Sequence, residues 1–274
     1  MPEWPEIHHL ARQMAQELSG IALCEARIAQ PKCLNLPEEA WRERVLGRAV
    51  QAVRAKGKWL DVALEGGYRL RINLGMGGEI LLSEAGEAPA EKWRALFSLA
   101  DGRKIGIHFW WFGSLHAVGP GEAHPPFDKL GPDMLSVDEQ DFARAYANRR
   151  SPVKVLLLQQ EILSGMGNYY VHDVLFRAGL HPARSGDSLS GEEWQRLYSA
   201  VREVFTDALV MGGSDYERDL YNQLGRYSAM QVGYREGLPC PVCGTAIVSQ
   251  RVGAANSYFC PHCQRERKEF DNRT

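Results

Sequence analysis

Four cysteines near the C-terminus constrain the fold of this 274-residue chain more than any other feature. They are spaced C-x2-C-x16-C-x2-C, which lies in the range of zinc ribbons. Proline and glycine beside the pairs favour tight turns that direct four thiolates at one tetrahedral centre. Two disulfides are the alternative, disfavoured because no secretory signal is evident. We therefore expect one structural zinc ion, and the predicted ligands are Cys240, Cys243, Cys260 and Cys263.

The N-terminal segment MPEWPEI contains a candidate nucleophile. Removal of Met1 leaves Pro2 with a secondary amine, and α-amino groups have a pKa of about 7.7–8.0. A neutral amine attacks an aldehyde-like carbon and forms an iminium. Glu3 lies beside this amine as a candidate proton donor, and Glu6 follows about one helical turn later. The same residues also fit an ordinary helix start, where proline and acidic side chains are favoured.

The composition indicates a folded globular protein, because 45% of the residues are hydrophobic and 24% are charged. The formal net charge of −2 argues against a polycation, but a local basic face is enough to bind nucleic acid. No apolar run approaches the roughly 20 residues that span a bilayer. Without a signal or a membrane span, we expect a cytoplasmic protein.

The hydrophobic periodicity divides the chain into a strand-rich part and a helical part. Residues 5–18 have helical spacing, and the segments after them alternate as strands do. This pattern predicts an antiparallel sandwich or barrel behind one helix. The predicted strand segments are 47–65, 67–73, 94–100 and 104–118, and the predicted later helices are 137–148, 152–163, 168–178 and 190–211.

Changes in composition mark the expected domain boundaries. Residues 119–134 are rich in proline and glycine and are typical of a linker. The fold class we predict is α+β and multidomain. Its expected parts are a strand-rich N-terminal domain at 1–118, the linker, a helical domain at 135–235, a zinc finger at 236–264 and a disordered tail at 265–274.

Seven motifs follow one another in a fixed order along residues 2–264. They are PE-x-PE at the start, A-x-GKWL around Lys58, LGM-x-G at Leu74–Gly78, FG at Phe112–Gly113, LGP at Leu130–Pro132, GMGNYY with LFRAGLHP at Gly165–Pro182, and the cysteine ribbon. Together they resemble the formamidopyrimidine-DNA glycosylase and endonuclease VIII family. The resemblance implies an N-terminal catalytic β-sandwich with one helix, a DNA-binding helix–two-turn–helix domain and a zinc finger, with DNA between them. It also implies removal of a damaged base followed by cleavage of the strand.

The resemblance assigns roles to individual residues. Pro2 is the implied nucleophile, Glu3 the acid and base, Glu6 a support for both, and Lys58 a contact to the sugar or phosphate. Met76 matches a side chain that fills the gap left by an extruded nucleotide. Residues alone leave other readings open: Lys58 also fits an exposed strand edge, Met76 also fits a core, Lys154 also fits a solvated face, and Asn168 also fits a helix cap. The implied DNA contacts are Lys56, Met76, Trp111, Phe112, Lys154, Asn168 and Arg251.

The chain departs from the family pattern at several positions. Trp111 stands where the family usually carries arginine, and it stacks on bases but lacks the bidentate fork of arginine. We therefore expect an altered or relaxed preference for the opposite base. Trp110 or Trp111 also fits a buried core position. Ala255 replaces the usual arginine of the finger, Asn73 replaces a histidine, and the loop 212–227 has an unusual sequence.

Damaged double-stranded DNA is the implied partner, bound by a monomer, with single-stranded or cross-linked DNA also within the implied range. Loss of base recognition would leave an abasic-site lyase or a DNA-binding protein without catalysis. A zinc-ribbon protein adaptor is a further alternative, which would lack a salt-sensitive affinity for DNA.

Overall fold

The computed structural model describes residues 1–87, 92–228 and 230–266. It divides into two compact units. The first contains Met1–Leu130 and Ala208–Tyr227, and the second contains Gly131–Asp207 and the described residues from Ser228 onward. Residues 208–227 therefore belong with the N-terminal unit, although the sequence predicts them within the helical domain. The predicted disordered tail lies outside the described residues beyond position 266.

Strands dominate the first part of the described chain, and helices dominate the part that follows. The helices are α1 (Trp4–Leu18), α2 (Glu38–Val45), α3 (Pro125–Asp128), α4 (Glu139–Tyr146), α5 (Val153–Leu157), α6 (Val171–Arg177) and α7 (Gly191–Val210). The strands are β1 (Ala22–Ile28), β2 (Arg48–Lys56), β3 (Trp59–Leu64), β4 (Arg69–Asn73), β5 (Glu79–Ser83), β6 (Ala95–Leu99), β7 (Lys104–His108), β8 (Ser114–Val118), β9 (Val248–Val252) and β10 (Ala255–Phe259).

Strands β1–β8 form an antiparallel sheet in the order β5-β7-β6-β1-β2-β3-β4-β8. Both ends of this order contribute to one core, in which Val62 and Leu70 share a cluster with Phe97 and Ile105. The sheet is therefore folded over on itself as a sandwich, with α1 packed into the same core. This arrangement confirms the predicted N-terminal β-sandwich with one helix at its start.

Two predicted strands are interrupted by turns that place functional residues. The segment 47–65 is a hairpin of β2 and β3, and Lys58 lies in its two-residue turn rather than in a strand. The segment 104–118 is likewise two strands, β7 and β8, separated by the loop 109–113. The predicted linker 119–134 contains α3, whose Phe127 is buried.

Two predicted helices are shorter than their apolar pattern indicates. The helix predicted at 152–163 ends at Leu157. Turns replace the second half of the predicted helix. There the Gln160 side chain accepts a hydrogen bond from Gly165 N and donates one to Met166 O, which stabilises the turns instead of a helix. The helix predicted at 168–178 begins only at Val171, so Asn168 lies in the preceding turn and is not its cap.

Candidate active site

Glu3 and Glu6 are buried at the N-terminus of α1, next to the buried Pro2. Glu3 is the N-cap of the helix and forms a capping box with Glu6. The Glu3 backbone N–H donates to Oε2 of Glu6 over 2.9 Å. Two carboxylates therefore stay fixed beside the proline, which explains why acidic residues at both positions suit the helix start as well as chemistry.

The other oxygen of Glu6 binds the loop 212–227. The Ser214 backbone N–H donates to Oε1 of Glu6 over 2.9 Å. The neighbouring Gly213 has φ of 96°, and a Cβ there would lie 2.7 Å from Cγ of Glu6. Only glycine permits this close approach without strain. Glu6 thus joins the helix start to the loop.

Lys58 lies close enough to Glu3 and Glu6 for their charges to act on its ammonium. It follows Gly57, whose φ of 57° allows the tight turn between β2 and β3. Burial lowers the pKa of the Lys58 ammonium, and the negative charges of Glu3 and Glu6 oppose that change. A lysine with a lowered pKa exchanges its proton more readily near neutral pH. The structure therefore brings Pro2, Glu3, Glu6 and Lys58 together in one unit.

Asn73 supports the Lys58 turn, a role that sequence reasoning missed. Its Nδ2 donates to the Lys58 carbonyl over 3.0 Å, and its Oδ1 accepts from Gly75 N over 3.1 Å. The side chain thereby fixes the hairpin turn relative to the turn that carries Met76. The unusual asparagine at this position is a structural link between the two.

Glu217, in the loop 212–227, lies beside the N-terminal amine, and the sequence analysis did not single it out. Its Oε1 lies 3.2 Å from the Met1 nitrogen. Burial raises the pKa of Glu217, whereas the charge of the N-terminal amine acts in the opposite direction. No local sequence signal distinguishes this residue, because the contact joins positions more than 200 residues apart.

Lys56 does not share a strand face with Lys58, because Lys58 is in the turn. Its ammonium lies 5.2 Å from the centre of the Phe127 ring. This distance fits a cation–π interaction. The predicted contact of Lys56 with DNA stays a prediction.

Met76 and the loop 109–113 form an exposed apolar patch, here called the aromatic patch and defined by Met76, Trp110, Trp111 and Phe112. Met76 N donates to the Trp111 carbonyl, and Trp110 N donates to the Met76 carbonyl, both over 2.9 Å. Phe109 is buried instead of either tryptophan. Phe112 has φ of 59°, a conformation that costs a bulky residue strain and recurs at functional sites. The exposed fractions are 48%, 62%, 65% and 85%, in chain order.

The aromatic patch corrects two alternatives left open by the sequence. Met76 is not a core methionine, and neither Trp110 nor Trp111 is buried. Gly75 and Gly77 permit this geometry, since a Cβ at Gly75 would lie 2.1 Å from the Trp111 carbonyl oxygen. Exposed apolar side chains of this size mark interaction sites.

Lys154 lies in the second unit and is fully buried. Its ammonium donates to the carbonyl oxygens of Asn256 over 2.5 Å and of Ala255 over 3.4 Å. Burial lowers its pKa to about 8. These bonds attach Lys154 to the start of β10, at the position where the family's arginine is missing, and its predicted phosphate contact stays a prediction.

Asn168 and Arg251 are the other DNA contacts predicted in the second unit. The Asn168 Nδ2 donates to the Tyr234 hydroxyl over 3.3 Å, and its Oδ1 is buried without a hydrogen-bond partner among the described residues. Arg251 lies exposed on β9, opposite Asn256. Both side chains keep polar atoms that are not committed elsewhere in the described structure, and their predicted roles stay predictions.

The cysteine cluster fits a zinc ion. The four Sγ atoms lie within 4.8 Å of one another. Three of their separations are 3.5, 3.5 and 3.9 Å, whereas tetrahedral zinc with bonds of about 2.3 Å would place sulfurs about 3.8 Å apart. The donor set of four thiolates suits a closed structural site. The predicted structural zinc site is thus confirmed in its ligands, which are Cys240, Cys243, Cys260 and Cys263.

Three family models match the chain in succession. They are the formamidopyrimidine-DNA glycosylase N-terminal domain at residues 1–129, the formamidopyrimidine-DNA glycosylase H2TH domain at 130–219, and the zinc finger found in FPG and IleRS at 237–265. Together they cover most of the described residues, so the resemblance seen in the sequence is confirmed.

Curated relatives match over nearly their whole length. A formamidopyrimidine-DNA glycosylase of Chloroflexus aggregans is 35% identical, covering 96% of this chain and 98% of that protein. One of Cereibacter sphaeroides is 36% identical, covering 97% of this chain and all of that protein.

Solved structures match with similar coverage. The MutM (Fpg) protein of Thermus thermophilus has a TM-score of 0.86 at 35% identity, covering 97% of this chain and all of that one. Lactococcus lactis Fpg in a complex with DNA containing an abasic site has a TM-score of 0.87 at 27% identity, covering 96% of this chain and 99% of that one. Among the described residues, no helix is both long and apolar enough to cross a membrane.

Proposed function

This chain belongs to the formamidopyrimidine-DNA glycosylase family, and we propose that it excises an oxidised or ring-opened base from DNA and then cleaves the strand as an abasic-site lyase. The observation that carries the proposal is the buried pair Glu3 and Glu6 beside Pro2, with Lys58 facing both. The solved complexes of Lactococcus lactis Fpg with damaged DNA support the substrate class.

In the proposed reaction, the neutral Pro2 amine attacks C1′ of the damaged nucleotide, and the bond from C1′ to the base breaks. The proton of the former N–H passes to the departing base, which frees the nitrogen electron pair. This pair forms an iminium between Pro2 and C1′ as the C1′–O4′ bond breaks and Glu3 protonates the sugar ring oxygen. The iminium withdraws electrons, so a proton leaves C2′ and the 3′ phosphate departs by β-elimination. A positioned acid or base of this kind contributes about 10²–10⁴-fold to the rate.

Glu6 and Lys58 act on this chemistry indirectly. Glu6 holds Glu3 through the backbone bond of 2.9 Å and ties the loop to the helix. Lys58 supplies a positive charge opposite both carboxylates and is the proposed contact to the sugar or the neighbouring phosphate. The zinc ion, when bound, holds the finger fold and takes no part in bond breaking.

The proposed DNA contacts outside the centre are of two kinds. The aromatic patch would fill the space of the extruded nucleotide, because enzymes that act on a base inside a duplex must take it out of the stack. Lys56, Asn168 and Arg251 are the proposed polar contacts to the backbone. We further propose that the protein acts as a monomer in the cytoplasm, associated with DNA.

The test is excision from duplexes that carry one damaged base or one abasic site. We expect release of the base and a nicked strand from the wild type. Glu3→Gln should slow base release by about 10²–10⁴-fold, and Pro2→Gly should remove the covalent intermediate. Glu39→Gln is the matched control, because Glu39 is an exposed acid in the first turn of α2 in the same unit. Nicking of abasic DNA without base release would reduce the proposal to a lyase, and binding without either reaction would refute catalysis.

A further inference from the structure

We propose that Glu217 is an active-site carboxylate that positions the N-terminal amine and accepts a proton from it before attack. The proposal rests on the function proposed above, because it concerns the same nucleophile. Glu217 is not among the residues that the sequence motifs assign to the site, and it lies in the loop 212–227, where this chain departs from the family pattern.

The contact itself is short and shielded. Oε1 of Glu217 lies 3.2 Å from the Met1 nitrogen, and the Glu217 side chain is only 14% exposed. The nitrogens of Met1 and Pro2 are separated by two carbon atoms, on the order of 3–4 Å. After removal of Met1, the new Pro2 amine therefore starts within about 7 Å of the same carboxylate, and a shift of the shortened terminus by one residue brings the two together.

The loop holds Glu217 in place from both sides. Before it, Ser214 N donates to Glu6. After it, Gln13 donates to Asp219 over 2.8 Å and accepts from Leu220 N over 3.0 Å. Leu220 also accepts from Leu82 N of β5 over 2.9 Å. The carboxylate is thus preorganised by α1 and the sheet, which is what a proton acceptor at a fixed distance requires.

The charges around Glu217 make it a stronger base than an exposed glutamate. Burial raises its pKa, the N-terminal amine opposes this, and the carboxylates of Glu3 and Glu79 raise it further. Arg218 lies 3.9 Å from Glu79 and compensates part of that charge. Lys58 faces Glu3 and Glu6 from the hairpin turn.

The proton transfer is balanced within the pair. The Pro2 ammonium carries two protons and no free electron pair. One proton passes to the Glu217 carboxylate, which gives a neutral secondary amine and a carboxylic acid. The freed electron pair then forms the bond to C1′ while the C1′–base bond breaks and its electrons leave with the base. Because the proton stays within the pair and does not go to the solvent, the neutral Pro2 amine remains populated at pH values below the pKa of an isolated amine.

The test measures single-turnover nicking of an abasic duplex between pH 5.5 and 9, with an enzyme-free blank. We expect Glu217→Gln to lose about 50-fold between pH 9 and pH 6, because an isolated amine with a pKa of about 7.7–8.0 becomes protonated over that range. The wild type should lose less than about tenfold over the same range. Asp215→Asn, an exposed acid in the same loop, should follow the wild type.

The outcomes separate this inference from the proposed function. A wild type that does not nick at any pH refutes the function itself. A wild type that nicks but shows the isolated-amine profile overturns the role of Glu217 without any need for a variant. A Glu217→Gln profile parallel to the wild type also overturns it, whether the rate is unchanged or reduced equally at every pH. Recovery of the variant at pH 9 shows that its site is folded.

Discussion

Replacement of Lys154 by methionine separates a structural lysine from a phosphate-binding one. Methionine keeps much of the length and apolar character of the lysine stem but removes the ammonium. In the structure, that ammonium is buried and donates to the carbonyl oxygens of Asn256 and Ala255 in the finger hairpin. We expect Lys154→Met to weaken the attachment of the β9–β10 hairpin to α5, because the hydrogen bonds of the ammonium are lost.

The magnitude follows from two opposing effects. Loss of the charge-assisted bond of 2.5 Å, which removes this buried donor from the Asn256 carbonyl, costs about 3–5 kcal/mol. Against this, the pKa of Lys154 falls from 10.5 to about 8 on burial, so holding the charge inside costs about 3 kcal/mol. The balance is a loss of up to about 2 kcal/mol of unfolding free energy at pH 7.5.

The same pKa gives the variant a pH signature. Between the folded pKa of about 8 and the ordinary 10.5, the unfolded chain binds more protons than the folded one, so stability rises with pH. The wild type should therefore gain about 2 kcal/mol over Lys154→Met between pH 7.5 and 9.5.

The assay is urea unfolding with zinc present, followed by circular dichroism at both pH values, together with the salt dependence of DNA affinity. Arg150→Met is the control, because Arg150 is exposed in the same unit. A structural role of Lys154 is refuted if Lys154→Met leaves stability unchanged at both pH values and instead lowers the slope of log affinity against log salt by about 0.9, the signature of one lost phosphate contact.

Three other outcomes are expected. Removal of zinc with a chelator, or Cys260→Ser, should unfold the finger at 237–265 and abolish DNA binding. Zinc release, proteolysis and gel shift measure these effects, and a finger that stays folded without metal would contradict the prediction. Phe112→Ala should weaken binding to abasic duplex by about 1–3 kcal/mol through lost stacking, whereas Leu224→Ala, at another exposed apolar residue, should not. Trp111→Arg should sharpen discrimination between bases opposite the lesion. Burial lowers the pKa of His172 to about 3, and its neutral Nδ1 accepts a hydrogen bond from Tyr258 N. As the pH drops below 6.5, the imidazole is therefore protonated in the unfolded chain before it is protonated in the folded one, so stability should fall. The fall should be less steep in His172→Gln.

The sequence predicts best where a local pattern decides the structure. The cysteine spacing predicts the zinc site because two short turns bring four thiolates together. The periodicity of residues 5–18 predicts α1, which begins at Trp4 and ends at Leu18. The predicted strand segments 94–100 and 104–118 likewise contain the antiparallel pair β6 and β7.

The sequence predicts least where distant segments meet. The role of Lys154 depends on carbonyl groups about 100 residues away, and Glu217 depends on the chain terminus. The early end of α5 follows from hydrogen bonds of Gln160 that no helical pattern reveals. Such contacts are made by tertiary packing, which overrides local propensity.

Borohydride trapping on duplex DNA with one abasic site shows whether the amine of Pro2 is the nucleophile. The adduct is mapped by mass spectrometry. We expect a single covalent adduct on Pro2, absent from Pro2→Gly and from protein that retains Met1. DNA binding without any adduct, or an adduct on a lysine such as Lys58, would contradict it.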